Sequence, residues 1–146
     1  MDLKFRIILL SPPPGIDFAL QKGSGSKYEP IQKQRSDTHN LSFDFSAEVK
    51  GIRQKDQLPD FRGPFVQGPA GARFIYIDIG SLAGQTDQLA WRLKVPLVGI
   101  TWKMVEEFDS NSDARLETEV PGTHKNGGPN CATVKPFAGW LLKRLQ

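Results

Sequence analysis

The chain of 146 residues has the length of one ordinary domain, which buries roughly two thirds of the surface that its unfolded form exposes. Its net charge of +3 comes from 19 basic and 16 acidic residues that are mixed along the chain. Because no basic block is present to neutralise a phosphate backbone, nucleic acid is not expected as a partner. The 14 glycines and 11 prolines exceed what a helical protein tolerates, so the composition favours strands and turns.

The compartment is indicated by the cysteine count and by the N-terminal apolar run. Cys131 is the single cysteine and cannot form an internal disulfide, which fits a reducing compartment. The apolar run at residues 7–10 is halted by prolines from Pro12 onward, and it is too short for a signal core or a membrane span. We therefore expect a cytoplasmic protein without a membrane partner.

The N-terminal part of the chain contains two segments with strong alternation. Apolar residues occupy every second position over residues 3–9, and again without interruption over residues 41–50. Each pattern predicts a strand with one buried face. Residues 16–22 and 28–35 are predicted to be extended. The Gly-Ser turn at 23–26 lacks the Gly-Lys-Ser/Thr ending of a phosphate loop.

The centre of the sequence, residues 61–85, is the stretch around which the chain is organised. Residues 73–79 are rich in aromatic and β-branched residues and have glycines near both ends, which predicts a strand. Apolar residues fall on both of its parities, as expected for a central strand that is covered on both faces. The preceding residues 61–67 are interrupted by proline and are predicted to lie at a sheet edge or bulge.

The C-terminal part is predicted to contain one helix among further strands. The helix is expected over residues 101–108, with a threonine as its cap. Residues 91–98, 114–120 and 131–134 are predicted to be extended, and residues 139–145 fit a strand or a helix. Short strands with Gly/Pro turns predict a single mainly β domain, an antiparallel β-sandwich or a partly open barrel with one short helix.

Six stretches carry a resemblance to a known family. They are IDFALQKG, QKQRSD, FRGPFVQGP, RFIYIDIGSLAGQ, RLKVPLVGITW and PGTHKNGGPNCATV. Together they resemble a family of small bacterial proteins of unknown function, over nearly the whole chain. The resemblance implies a bacterial origin and one compact domain, and it supplies no catalytic residue.

No catalytic or metal site is expected from the histidines and the cysteine, and no cofactor is predicted. His39 and His124 lie in polar segments without a ligand-spaced partner, so both are interpreted as surface residues. Cys131 follows His124 by seven positions and could act as a nucleophile if folding paired the two. A small buried thiol is the ordinary role of an unpaired cysteine. An enzyme of unrecognised class is therefore the third hypothesis for the function.

Three aspartates, Asp17, Asp44 and Asp78, could form a carboxylate pair for acid–base chemistry only if folding brought them together. Otherwise we expect Asp44 to be a charge on a solvent face. Asp17 and Asp78 are then expected to bind turn amides at strand ends.

Planar amide, guanidinium and aromatic side chains surround the central strand, at the ends of apolar segments or beside glycines. They are Gln21, Gln67, Arg73, Tyr76, Gln85, Trp91 and Arg92. A sandwich or barrel mouth lined by such groups is the usual form of a small-ligand site. Planar donors favour a carboxylate, a phosphate or a sugar. The alternative is that the glutamines bind turn backbone and the arginines lie at a rim.

Two function classes follow from this set of residues. The first is a non-catalytic binding module for a small polar or anionic ligand. The second is a protein–protein interaction module that pairs an exposed strand edge or an apolar face with a partner chain. Pro64 and Pro69 blunt a strand edge against pairing, which favours the ligand. Arg73 requires an anion, either a ligand or a carboxylate such as Asp17 or Asp60.

Overall fold

The computed structural model describes residues 2–12, 15, 17–22, 31–35, 39–50, 58–80, 89–108, 114–122 and 132–144. Of these, residues 31–35, 80 and 89–91 are described for the backbone alone. The described elements, in chain order, are β1 (Asp2–Leu10), β2 (Asp17–Leu20), β3 (Ile31–Arg35), β4 (Leu41–Lys50), β5 (Asp60–Arg62), β6 (Phe74–Gly80), β7 (Leu89–Pro96), α1 (Trp102–Glu107), β8 (Ala114–Pro121), β9 (Ala132–Thr133) and β10 (Leu141–Arg144).

The described strands form two five-stranded sheets. The first sheet has the order β10-β8-β1-β4-β5, and the second sheet has the order β3-β2-β6-β7-β9. The mainly β fold class is therefore confirmed, and the two sheets share one core as in a sandwich rather than closing into a barrel. The central position of β6, the edge position of β5 and the strand at the C-terminus also agree with the sequence patterns.

Both sheets are mixed, which the local patterns did not predict. β1 pairs with β8 in parallel, and β7 pairs with β9 in parallel, whereas the other described pairings are antiparallel. A parallel pair requires a long crossover between its strands, and β1 and β8 are separated by most of the chain. Alternation within one strand carries no information about such a distant neighbour.

The core lies between the two sheets because each strand presents every second side chain to the other sheet. Phe5 of β1 is at its centre: its ring stacks on Phe45 at 4.9 Å and meets the Phe61 ring edge-on at 5.5 Å. Trp140 packs against Phe5 and donates its indole N–H to the Pro96 carbonyl at 3.0 Å, which links the two sheets. Offset and edge-on ring pairs add about 0.5–1.5 kcal/mol each beyond the area they bury.

The helix α1 begins as the sequence predicts. Thr101 is extended, and its hydroxyl accepts a hydrogen bond from the Met104 amide at 3.3 Å. Val105 and Phe108 are buried, while the glutamates that follow Val105 face outward. Within the described ranges, no helix is long and apolar enough to cross a membrane.

Candidate functional site

The side chains on the outer face of the second sheet, the face directed away from the core, form an unusually buried polar layer. Among the described residues, this outer face, called the polar layer below, includes Asp17, Ala19, Gln21, Gln67, Phe74, Tyr76, Asp78, Arg92 and Lys94. Residues of β6 and β7 with the opposite parity, such as Ile77 and Leu93, belong to the core. Asp78 is 0% exposed and Gln21 is 1% exposed, although such a face of a sandwich is ordinarily in water.

Arg92 and Asp78 are opposite each other on β7 and β6 and form a two-point ion pair. The distances are 2.5 Å from Arg92 Nε to Asp78 Oδ1 and 3.2 Å from Nη2 to Oδ2. The guanidinium also lies 4.7 Å above the Tyr76 ring. Burial raises the pKa of the Asp78 carboxyl, and the hydrogen bonds and charge of Arg92 oppose that rise. The interpretation of Asp78 as a turn residue at a strand end is therefore wrong, because its partner is a neighbouring strand.

A second cation, Lys94, lies on the same face two residues after Arg92. Its ammonium is 4.2 Å from the centre of the Phe74 ring, and the Phe74 and Tyr76 rings are 4.8 Å apart. Lys94 has no ion pair with any residue in the part of the chain that the structure describes. Among the described residues, this face therefore carries one arginine that is ion-paired with a carboxylate and one lysine whose charge contacts an aromatic ring.

Two glutamines follow one another along the edge of β6. The backbone amide of Gln21 donates a hydrogen bond to the backbone carbonyl of Tyr76 at 3.0 Å. The backbone of Gln67 exchanges two hydrogen bonds of 2.9 Å with the backbone of Phe74. Cross-strand partners in an antiparallel pair share a face, so both side chains belong to the polar layer. Gln67 is only 9% exposed, and its side-chain nitrogen Nε2 is buried without a hydrogen-bond partner among the described residues.

Arg73, the residue before Phe74, is directed elsewhere. It donates from Nε to Asp60 at 2.9 Å, from Nη2 to Asp60 at 3.3 Å, and from Nη1 to the Gly68 carbonyl. Arg73 and Arg62 both hold the pKa of the Asp60 carboxyl below its usual value, and Arg73 contributes the larger share. The anion that Arg73 requires is thus supplied by the protein, and Arg73 does not join the polar layer.

The remaining sequence candidates fall into two groups. Gln85, His124 and Cys131 lie outside the described residues. Trp91 pairs with Ile79 in β7, but only its backbone is described. Among the described residues, no group of three or more histidines, cysteines or carboxylates is placed to hold a metal ion.

The three aspartates do not meet at one site. Asp44 is on the outer face of the first sheet, where Arg6 binds it at 2.6 and 2.8 Å and lowers the pKa of its carboxyl. Asp17 and Asp78 lie on the outer face of the second sheet. Sequence reasoning found Gln21, Gln67, Tyr76 and Arg92 for this face. It missed Phe74 and Lys94 as site residues, although Phe74 has the same parity as Tyr76 in β6 and Lys94 has the same parity as Arg92 in β7.

Three clefts lined by described residues lie away from the polar layer. Arg73 lines a small cleft of about 30 Å³ together with exposed Leu58 and Val98. Clefts of about 560 and 370 Å³ lie against the first sheet, the larger beside Glu48 and the smaller beside Lys4. The polar layer is distinguished by its buried, incompletely paired groups rather than by a large volume.

The fold and the geometry of the polar layer define the class of protein. It is a two-sheet β protein with a buried polar layer on one outer face. The chain belongs to the family of unknown function DUF5990, whose family model matches residues 3–143. No curated protein and no solved structure matches the chain. The family model covers nearly the whole chain, and the family's description assigns no chemical function.

Proposed function

We propose that the protein is a non-catalytic binding module for a small polar or anionic ligand, and that the ligand binds the outer face of the second sheet. The single observation that carries this proposal is the side chain of Gln67, which is nine-tenths buried while its amide nitrogen lacks a partner in the part of the chain that the structure describes. Leaving a buried donor unpaired costs about 1–3 kcal/mol. A ligand that accepts a hydrogen bond there recovers this energy.

The neighbours of Gln67 supply what a small ligand site requires. Phe74 and Tyr76 offer apolar ring surface, Lys94 offers a positive charge, and the guanidinium of the Arg92–Asp78 pair packs over the ring of Tyr76. A few polar groups on an apolar floor fix the orientation of a ligand. These groups fit a carboxylate, a phosphate or a sugar. The proposal takes the protein to be bacterial and cytoplasmic, which rests on the sequence resemblance and the single cysteine.

A thermal-shift screen of carboxylates, phosphates and sugars tests the proposal. A ligand at a hundredfold excess over its Kd stabilises the folded protein by about 2.7 kcal/mol. The screen is run on wild type and on Gln67→Met, which keeps the side-chain volume and removes the donor. Stabilisation of wild type that is weakened in Gln67→Met is the expected result. No stabilisation by any compound at millimolar concentration, or equal stabilisation of both proteins, contradicts the proposal.

Exposed apolar side chains favour a second candidate, the protein–protein interaction module. Leu58 and Val98 are 61% and 65% exposed and line the same small cleft. Adjacent exposed apolar side chains are a feature of contact surfaces. Light scattering over a range of concentrations tests self-association through this surface, and Val98→Ser should abolish it. Val98→Ser that leaves a concentration-dependent increase in mass unchanged rules out this surface.

A further inference from the structure

The charges of the outer face distinguish between the ligand classes. Arg92 donates to both oxygens of Asp78, from Nε and from Nη2, so this edge of its guanidinium is already paired with a carboxylate and its charge is balanced within the protein. Lys94 contacts the face of Phe74, which leaves the three N–H donors of its ammonium able to bond. One compact positive charge is therefore presented on this face by the described residues.

The second polar group lies on the other side of Phe74. Gln67 pairs with Phe74 from the edge that β2 shares, whereas Lys94 reaches the same ring from β7. Phe74 therefore has Lys94 over its ring from β7, and on its other side it pairs with Gln67, whose Nε2 has no hydrogen-bond partner among the described residues. Thr133 of β9, which is exposed, is the cross-strand neighbour of Lys94.

We infer that the ligand of this face is a small organic carboxylate with a second, neutral acceptor, bound with its carboxylate at Lys94 and its acceptor at Gln67 Nε2. This inference rests on the proposed function and narrows its ligand class. One ammonium balances one carboxylate charge, whereas a phosphate dianion is matched by several donors or by an open guanidinium fork. A neutral amide N–H is the partner of a carbonyl or hydroxyl oxygen.

The experiment compares three probes on the full chain by isothermal titration calorimetry. N-acetylglycinate carries a carboxylate and a carbonyl acceptor, N-acetylglycinamide is its neutral counterpart, and inorganic phosphate is the competing anion. The proteins are wild type, Lys94→Met, Gln67→Met and Lys4→Met. Lys4 is the matched control, because it is a mid-strand lysine on the outer face of the first sheet.

Wild type should bind N-acetylglycinate about tenfold more tightly than N-acetylglycinamide, as expected for one charge-assisted hydrogen bond. Lys94→Met should remove this discrimination, and Gln67→Met should weaken both probes about equally. Lys4→Met should bind like wild type. Backbone amide shifts of wild type should change along β6 and β7 on titration, which locates the site even if one variant fails to fold.

Three results overturn the inference, and they are distinguishable from failure of the proposed function. Equal affinity for the two acetylglycine probes shows that no charge is recognised. Unchanged discrimination in Lys94→Met shows that another cation binds the carboxylate. Phosphate or a sugar that binds in a Gln67-dependent manner, while N-acetylglycinate does not, overturns the carboxylate and leaves the binding module standing. If no compound of any class binds, both proposals fall.

Discussion

Arg92 and Asp78 form an ion pair on the face of the second sheet that points away from the core, and the carboxylate of this pair is 0% exposed. Most charges on an outer sheet face are hydrated, which makes their pairing weak. Here the carboxylate is removed from water, so its charge depends on Arg92. The loss of either partner therefore leaves the other as an unpaired charge at a buried position.

Removing Arg92 alone should be more damaging than removing both partners. Arg92→Leu strands a buried carboxylate and should lower the free energy of unfolding by about 3 kcal/mol, whereas Arg92→Leu with Asp78→Leu should recover most of that loss. Urea unfolding of the single and double variants, with Asp78→Leu completing the cycle, measures the coupling. Losses that simply add would show that the two side chains are energetically independent.

The stability of Arg92→Leu should also fall as the pH rises. Burial raises the pKa of Asp78, and Arg92 opposes that rise. Removing Arg92 should therefore raise the pKa of Asp78 further. A carboxyl whose pKa is higher in the folded state stabilises the fold while it is protonated, and this stability is lost as the pH rises from about 3.9 through the folded pKa. Chemical denaturation of the variant from pH 4 upward tests the sign. A flat profile relative to wild type contradicts it.

Arg73 should contribute to stability and not to ligand binding. Its side chain is 14% exposed and that of Asp60 is 23% exposed. Because Asp60 also binds Arg62, Arg73→Ala should destabilise by about 1–2 kcal/mol, below the roughly 3–5 kcal/mol of a fully buried pair. Arg62 is 54% exposed, so Arg62→Ala should cost less than about 0.5 kcal/mol. Equal losses, or a ligand response that disappears in Arg73→Ala, would refute this assignment.

Asp60 should contribute to acid unfolding. Arg73 and Arg62 lower the pKa of Asp60 in the folded state. Its contribution to stability is therefore complete above the unfolded pKa of about 3.9 and is lost as the pH falls through the folded pKa. Asp60→Asn should be less stable than wild type at neutral pH and should lose stability less steeply below pH 4. An acid limb with the same slope as wild type would exclude this role.

Alanine substitutions at Gly68 and Gly71, which lie in the same turn, distinguish the cost of a steric clash from the cost of backbone strain. Both have positive φ, +90° and +86°, which disfavours any side chain by about 1–2 kcal/mol. A Cβ at Gly68 would lie 2.6 Å from the Ala72 carbonyl oxygen and 2.7 Å from the Phe74 ring, whereas a Cβ at Gly71 meets nothing within 4 Å. Gly68→Ala should therefore be clearly less stable than Gly71→Ala in thermal unfolding. Similar losses would mean that the turn relaxes around the new methyl group.

The sequence by itself determined the strands that alternate. β4 was predicted at its full length, Leu41–Lys50, because a period of two is a local property of a chain with one face in a core. The cap of α1 was readable for the same reason, since a threonine and the amide three residues later lie within one turn. The sequence also identified four side chains of the polar layer, because glutamine, tyrosine and arginine stood out at the ends of apolar runs.

Tertiary structure alone decided which of those polar groups share a face and which partner each one has. Arg73 and Arg92 both lie at the ends of apolar segments in the sequence. In the structure, Arg73 forms an ion pair with Asp60 and Arg92 forms an ion pair with Asp78. The parallel pairing of β1 with β8 was equally hidden. These choices depend on strand order and register, which join residues far apart in the chain. Their energies come from burial and pairing across the sheets, and a local pattern contains neither term.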